Sequence, residues 1–145
     1  MNQRLSSEML HATTVAKHGR AVIIAGRSGS GKSDLALRLF DRGFALVSDD
    51  QTMVRKADGR LLASAPPMIR GKLEVRGIGI VEVDAIDDVP VCLFVELSEA
   101  VERMPEAGIE RMLLGIAVPL VGVEAMSASA AAKVDLALDR LGLKA

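Results

Sequence analysis

Arg20-Ala-Val-Ile-Ile-Ala-Gly-Arg-Ser-Gly-Ser-Gly-Lys-Ser33 is the stretch from which the fold can be read. Its first half, Arg20 to Ala25, is a short aliphatic run bounded by Gly19 and Gly26, and its length and β-branching suit a buried strand better than a helix. Its second half, Gly26-Arg27-Ser28-Gly29-Ser30-Gly31-Lys32-Ser33, satisfies the pattern G-x-x-x-x-G-K-[ST]. From Lys32 to Arg42 the residues Leu35, Ala36, Leu39 and Phe40 recur at helical spacing, and Gly43 is placed to end that helix. Strand, glycine-rich turn and helix are therefore contiguous, which is the context a phosphate-binding loop requires and a chance glycine-rich turn does not have. Such glycines let consecutive backbone N–H groups turn inward as an anion nest, at which the following helix points its positive end. A polyphosphate is the natural occupant. Lys32 can set its ammonium against the β- and γ-phosphates, and the Ser33 hydroxyl can enter the octahedral oxygen shell of magnesium, so ATP and Mg2+ are the expected cofactors.

Working outward, Phe44-Ala-Leu-Val47 reads as a second buried strand that delivers Asp49 and Asp50 at its C-terminal end, where open α/β sheets place their ligands. One carboxylate can serve the metal, and the other can take a proton from an attacking hydroxyl as general base; the competing reading is an aspartate that only caps a turn. His11 lies in a strand-like stretch, Met9 to Val15, where a lone histidine is more often structural than catalytic, and His18 beside Gly19 reads as a solvated loop residue. Asp58-Gly59, between Thr52-Met-Val54 and Leu61-Leu-Ala63, is a hairpin signal. Ile69 to Gly79 mixes charge with glycine and reads as a solvated loop, with an extended run resuming from Ile80 to Val83. Val91 to Val95 reads as another buried strand. Helices are expected from about Glu106 to Leu114 and from Glu124 to Leu141, the latter with Val134, Ala137, Leu138 and Leu141 on one face.

The 145 residues suit one domain over 1–145, and the half that are apolar suffice for one packed core. With three Phe and no Trp or Tyr that core is aliphatic, and base-stacking platforms are scarce. A net charge of −1 with no basic block gives no footprint for nucleic acid or an anionic membrane surface. Neither a signal-like apolar core nor a run of spanning length is present, so a cytoplasmic location is expected. Cys92, inside an apolar strand, is expected to be buried and inert.

His11, the loop Gly26 to Ser33, the pair Asp49-Asp50 and the segment Glu74-Val-Arg-Gly-Ile-Gly-Ile80 occur in the order and spacing of the HPr kinase/phosphorylases, which the chain resembles over about residues 9–120. The resemblance implies an α/β fold, a P-loop-containing mixed β-sheet with flanking helices like that of phosphoenolpyruvate carboxykinase. It implies phosphorylation of a serine on HPr or an HPr-like phosphocarrier protein, with phosphorolytic dephosphorylation as the reverse reaction. Residue by residue, Asp49 matches the general base, His11 the histidine that assists it, and Lys32 the phosphate-binding lysine. Ser33 and Glu74 match the magnesium ligands, Asp50 is expected beside the metal, Arg76 belongs to the signature segment, and Arg103 aligns with a further active-site arginine.

Two departures from the family pattern stand out. Longer members carry an additional N-terminal domain that this sequence does not contain, which likens it to a short form; the long members form hexamers, so a homo-oligomer is one expectation. After Val118-Pro119 the longer members have a Pro- and Arg-containing loop tied to dephosphorylation, whereas Leu120 to Ser127 offers neither residue. Two other readings stay open: a small-metabolite kinase, for which no arginine-rich lid is evident, and a nucleotide-sensing regulatory module, which would need only one carboxylate at the metal.

Overall fold

The computed structural model of the chain describes residues 6–101 and 108–144. The quoted stretch folds as read: strand β3 (Arg20–Ala25) runs into the glycine loop and then into helix α1 (Lys32–Phe40). β3 is apolar without alternation because both of its faces are buried. Val22 and Ile24 pack toward α1, whereas Ala21 and Ile23 pack into a second apolar cluster on the opposite face.

β3 is central. It pairs antiparallel with β2 (Ala12–Lys17) on one side and parallel with the long strand β9 (Val89–Leu97) on the other. β4 (Ala45–Ser48) adds outside β2, so the connection from β3 through α1 skips one strand and returns in the same direction. Beyond β9 the sheet continues through β6 (Arg60–Ser64), β5 (Thr52–Ala57) and β1 (Ser7–Leu10), while β11 (Ile116–Val123) pairs parallel with β9 and antiparallel with β10 (Glu110–Leu113). This mixed sheet with helices packed on one face is the α/β architecture expected.

The Asp58-Gly59 turn forms as read, with φ of 52° and 75° at its two residues and Ala57 paired with Arg60. Four readings need correction. The segment from 69 to 79 is no loop: β7 (Lys72–Val75) and β8 (Gly79–Glu82) make a separate hairpin, because Leu73 is fully buried against α1 and its neighbours alternate outward. The helix expected up to Leu114 is β10 over Glu110–Leu113, since Leu114 and Gly115 both adopt positive φ and turn the chain back into a two-residue hairpin.

Third, the C-terminal helix begins at Ala130, not Glu124: α2 spans Ala130–Leu141 and buries Ala130, Val134 and Leu138, with Leu141 largely exposed. Ser127 and Ser129 bond to each other locally, and the Arg38 guanidinium takes the Ala125 and Ser127 carbonyls, which draws those groups away from helical pairing. Fourth, the strand read from Met9 to Val15 is broken at His11, which stands at a bend between β1 and β2. α2 is moored to the sheet by Asp135, which accepts from Lys17 Nζ at 3.1 Å and Arg42 Nε at 3.0 Å. Cys92 is buried as expected, and burial pushes its thiol up. No helix among the described residues is long and apolar enough to cross a membrane.

Candidate active site

The start of β2, the ends of β3 and β4 and the start of α1 bring the expected residues to one edge of the sheet. Gly31 precedes the helix with φ of 100°, a conformation that only glycine adopts without strain, and its carbonyl takes the first helical bond from Leu35 N at 2.9 Å. Lys32 is buried, and its ammonium donates to the carbonyls of Gly26 at 2.9 Å and Arg27 at 3.0 Å. The lysine therefore holds the loop in its curved form, and its charge sits inside the nest. Arg27, Ser28 and Gly29 form the exposed rim.

Asp49 is buried at the end of β4, where it receives three donors. Ser33 Oγ donates to Oδ1 at 2.6 Å, Thr13 Oγ1 donates to the same oxygen at 3.0 Å, and the backbone N–H of Glu74 donates to Oδ2 at 3.1 Å. Asp50 faces the other way. Its φ is 65°, and its carboxylate accepts from His11 Nε2 at 2.7 Å, with both side chains more than half exposed at 62% and 54%. His11 thus meets Asp50 and not Asp49, the partner that the family resemblance implies for it. Adjacent residues in an extended chain point to opposite sides, and the left-handed turn at Asp50 fixes which of them looks outward.

Glu74 reaches the site through its main chain; its side chain alternates with buried Leu73 and is exposed on the outer face of the β7–β8 hairpin. Arg76 is exposed at that hairpin's turn, and Arg103 lies outside the described residues. Two residues of the site gave no signal in the sequence. Thr13 is one, hidden as a polar residue inside an apolar strand. The other is Arg111, whose guanidinium lies 4.8 Å from the centre of the Phe94 ring. It lines a cleft of about 1090 Å3 on the β9 side of the glycine loop, together with Arg27 and Ser28 of that loop and with Glu96, Glu99 and Met126.

The donor set suits magnesium. A hydroxyl of the glycine loop and a carboxylate oxygen meet at Ser33 and Asp49, and that cation needs only one or two protein oxygens beside those of phosphate and water. Among the described residues no group of three His, Cys, Asp or Glu side chains forms a cage of the kind a protein-only metal site needs.

Comparison with known proteins places the chain in a family. Residues 3–134 match the family described as HPr Serine kinase C-terminal domain. An HPr kinase/phosphorylase of Clostridium tetani is 40% identical over 87 residues, covering 59% of this chain and 28% of that protein. Another, from Chloroherpeton thalassium, is 37% identical over 124 residues, covering 77% of this chain and 36% of that protein. The structure of the Hpr(Ser) kinase/phosphatase from Coxiella burnetii superposes with a TM-score of 0.79 at 26% identity, covering 91% of this chain and 94% of that one. The chain spans about a quarter to a third of the length of the curated relatives it matches. With its glycine loop, acidic pair and signature hairpin at one sheet edge, the chain belongs to the HPr serine kinase C-terminal domain family.

Proposed function

We propose that this domain is a serine protein kinase that transfers phosphate from ATP to HPr or an HPr-like phosphocarrier protein, and that it works in the cytoplasm. The observation that carries this reading is the division of labour between neighbouring carboxylates: Asp49 turned in against Ser33, Asp50 turned out against His11. A nucleotide sensor needs the first of these and has no use for the second.

The two aspartates exchange the roles expected from the family pattern. Ser33 and Asp49 would hold magnesium, with Glu74 kept as a further ligand on the strength of the family pattern alone; the chemistry of that ion when bound is to neutralise phosphate charge and orient the transferring group. Lys32 and the loop amides bind the phosphates. Asp50, open to solvent and so to a docked protein, accepts the proton from the attacking serine hydroxyl, and His11 Nε2–H orients and stabilises that carboxylate. The cleft beside Arg111 receives the nucleoside, because it shares Gly26 to Ser30 with the phosphate loop and offers a planar cation to a base. Arg103 remains a proposed active-site arginine on the strength of the family pattern alone.

Incubation with labelled ATP, Mg2+ and an HPr-like protein from the same organism tests the reading. Labelled phosphoserine is expected from the native chain and almost none from Asp50→Ala. ATP binding without transfer by the native chain favours the sensor. The reverse reaction is read in the same assay by adding inorganic phosphate to the phosphorylated partner: β11 and the turn after it carry no counterpart of the Pro- and Arg-containing loop, so pyrophosphate release is expected to be slow.

A further inference from the structure

We infer that Thr13 is a positioning residue that sets both aspartates by a single hydroxyl, a role that rests on the phosphotransfer reading above. Thr13 is fully buried on β2, on the face that looks toward α1. Its Oγ1–H donates to Asp49 Oδ1 at 3.0 Å, and the same oxygen accepts the backbone N–H of Asp50 at 3.1 Å. A hydroxyl is the smallest side-chain group that gives in one direction and receives in another from one atom.

These two bonds have opposite consequences for neighbouring residues. Through the first, Thr13 joins Ser33 and the Glu74 N–H in holding the Asp49 carboxylate inward, hydrogen-bonded at both oxygens. Through the second, it secures the N–H of a residue whose φ of 65° is strained for any side chain with a Cβ, and such a conformation persists only where the surroundings over-determine it. With residue 50 held in that turn, its carboxylate meets His11 and stands away from Asp49, so two like charges on adjacent residues are separated. Thr13 itself is fixed from the opposite face of β2: Thr14 Oγ1 and Thr52 Oγ1 are 2.9 Å apart, and Thr52 Oγ1 donates to Ala12 O at 2.9 Å.

The test compares two near-isosteric losses. Thr13→Val keeps the methyl and removes the hydroxyl; Thr13→Ser keeps the hydroxyl and removes the methyl. With the phosphocarrier as substrate, Thr13→Val is expected to lower kcat by about 10-fold or more with KM for ATP within about twofold, because Lys32 and the glycine loop are untouched. Thr13→Ser is expected to return kcat to within about threefold of native. A residue that matters only by packing gives the reverse order, and that order, or a native kcat in Thr13→Val, overturns the inference. Should Thr13→Val not fold, Thr13→Ala makes the same comparison with Ser.

A crystal structure of Thr13→Val gives a readout that needs no transfer. Residue 50 is expected to leave positive φ and the His11 to Asp50 contact to open; retention of both overturns the inference. If the native chain phosphorylates no phosphocarrier while this contact still opens in the variant, the kinase reading falls and the positioning role stands.

Discussion

Ser33 and Asp49 meet at 2.6 Å, hydroxyl to carboxylate, where the start of α1 faces the end of β4. The contact joins the glycine loop to the acidic pair and makes Asp49 the inner of the two acids. Asp50, one residue on, is committed to His11. Their different surroundings give each a different expected phenotype.

Asp49→Asn leaves a poorer oxygen donor against Ser33 and is expected to weaken Mg2+-dependent ATP binding by at least about 10-fold. Asp50→Asn is expected to leave that affinity within about threefold while kcat falls by roughly 100-fold or more, the scale of a lost general base. Titration calorimetry with and without Mg2+, beside single-turnover transfer, separates the two. Equal loss of binding in both variants contradicts the division of roles.

Gly31→Ala places a Cβ at a φ of 100° and 3.3 Å from the Ala125 Cβ, in the loop that Arg38 holds. Strain of this kind costs about 1–3 kcal/mol. Thermal unfolding at a lower temperature, together with ATP affinity reduced by more than about 10-fold, is the expected result, because relief of the strain requires the loop to leave the curved shape in which we propose that it binds phosphate.

Arg111→Ala removes a cation from the cleft without touching the loop. ATP affinity is expected to fall by about 5- to 20-fold, the range of one stacking or cation–π contact, while the affinity for inorganic tripolyphosphate stays the same. Parallel loss of both ligands assigns Arg111 to the phosphates, and loss of neither removes the nucleoside from this cleft.

Asp135 supplies a pH-dependent mooring for α2. Burial alone opposes its charge, but hydrogen bonds and attraction from Lys17 and Arg42 prevail and hold the carboxyl below its ordinary value of 3.8. A carboxyl depressed in the folded state stabilises above its unfolded value and loses that contribution as pH falls through the folded one. Asp135→Asn is therefore expected to unfold about 1 kcal/mol more easily at neutral pH, with the difference closing below about pH 4 and shrinking at high salt. Urea unfolding of both proteins across that range measures it.

The glycine loop, its flanking strand and helix, the Asp58-Gly59 hairpin and the buried Cys92 were all legible in the chain. Each is specified by residues adjacent in sequence: backbone freedom at glycine, short-range periodicity, or an unbroken apolar run. The strand Glu110–Leu113 and the hairpin from Lys72 to Glu82 were not legible, because partners supplied from elsewhere in the chain outweigh weak local preferences. The start of α2 was obscured for a similar reason, since Arg38 lies far in sequence from the carbonyls to which it donates.

Sequence alone determined that the glycine loop Gly26 to Ser33 would meet the acids Asp49-Asp50, because a strand–loop–helix turn and a strand-end carboxylate are local constructions. Which aspartate turns inward, which one His11 meets, and that Thr13 lies between them were decided by the tertiary structure. Those pairings join residues about 35 to 40 positions apart, and they depend on how β2 and β4 are aligned and on the sign of one dihedral angle at Asp50.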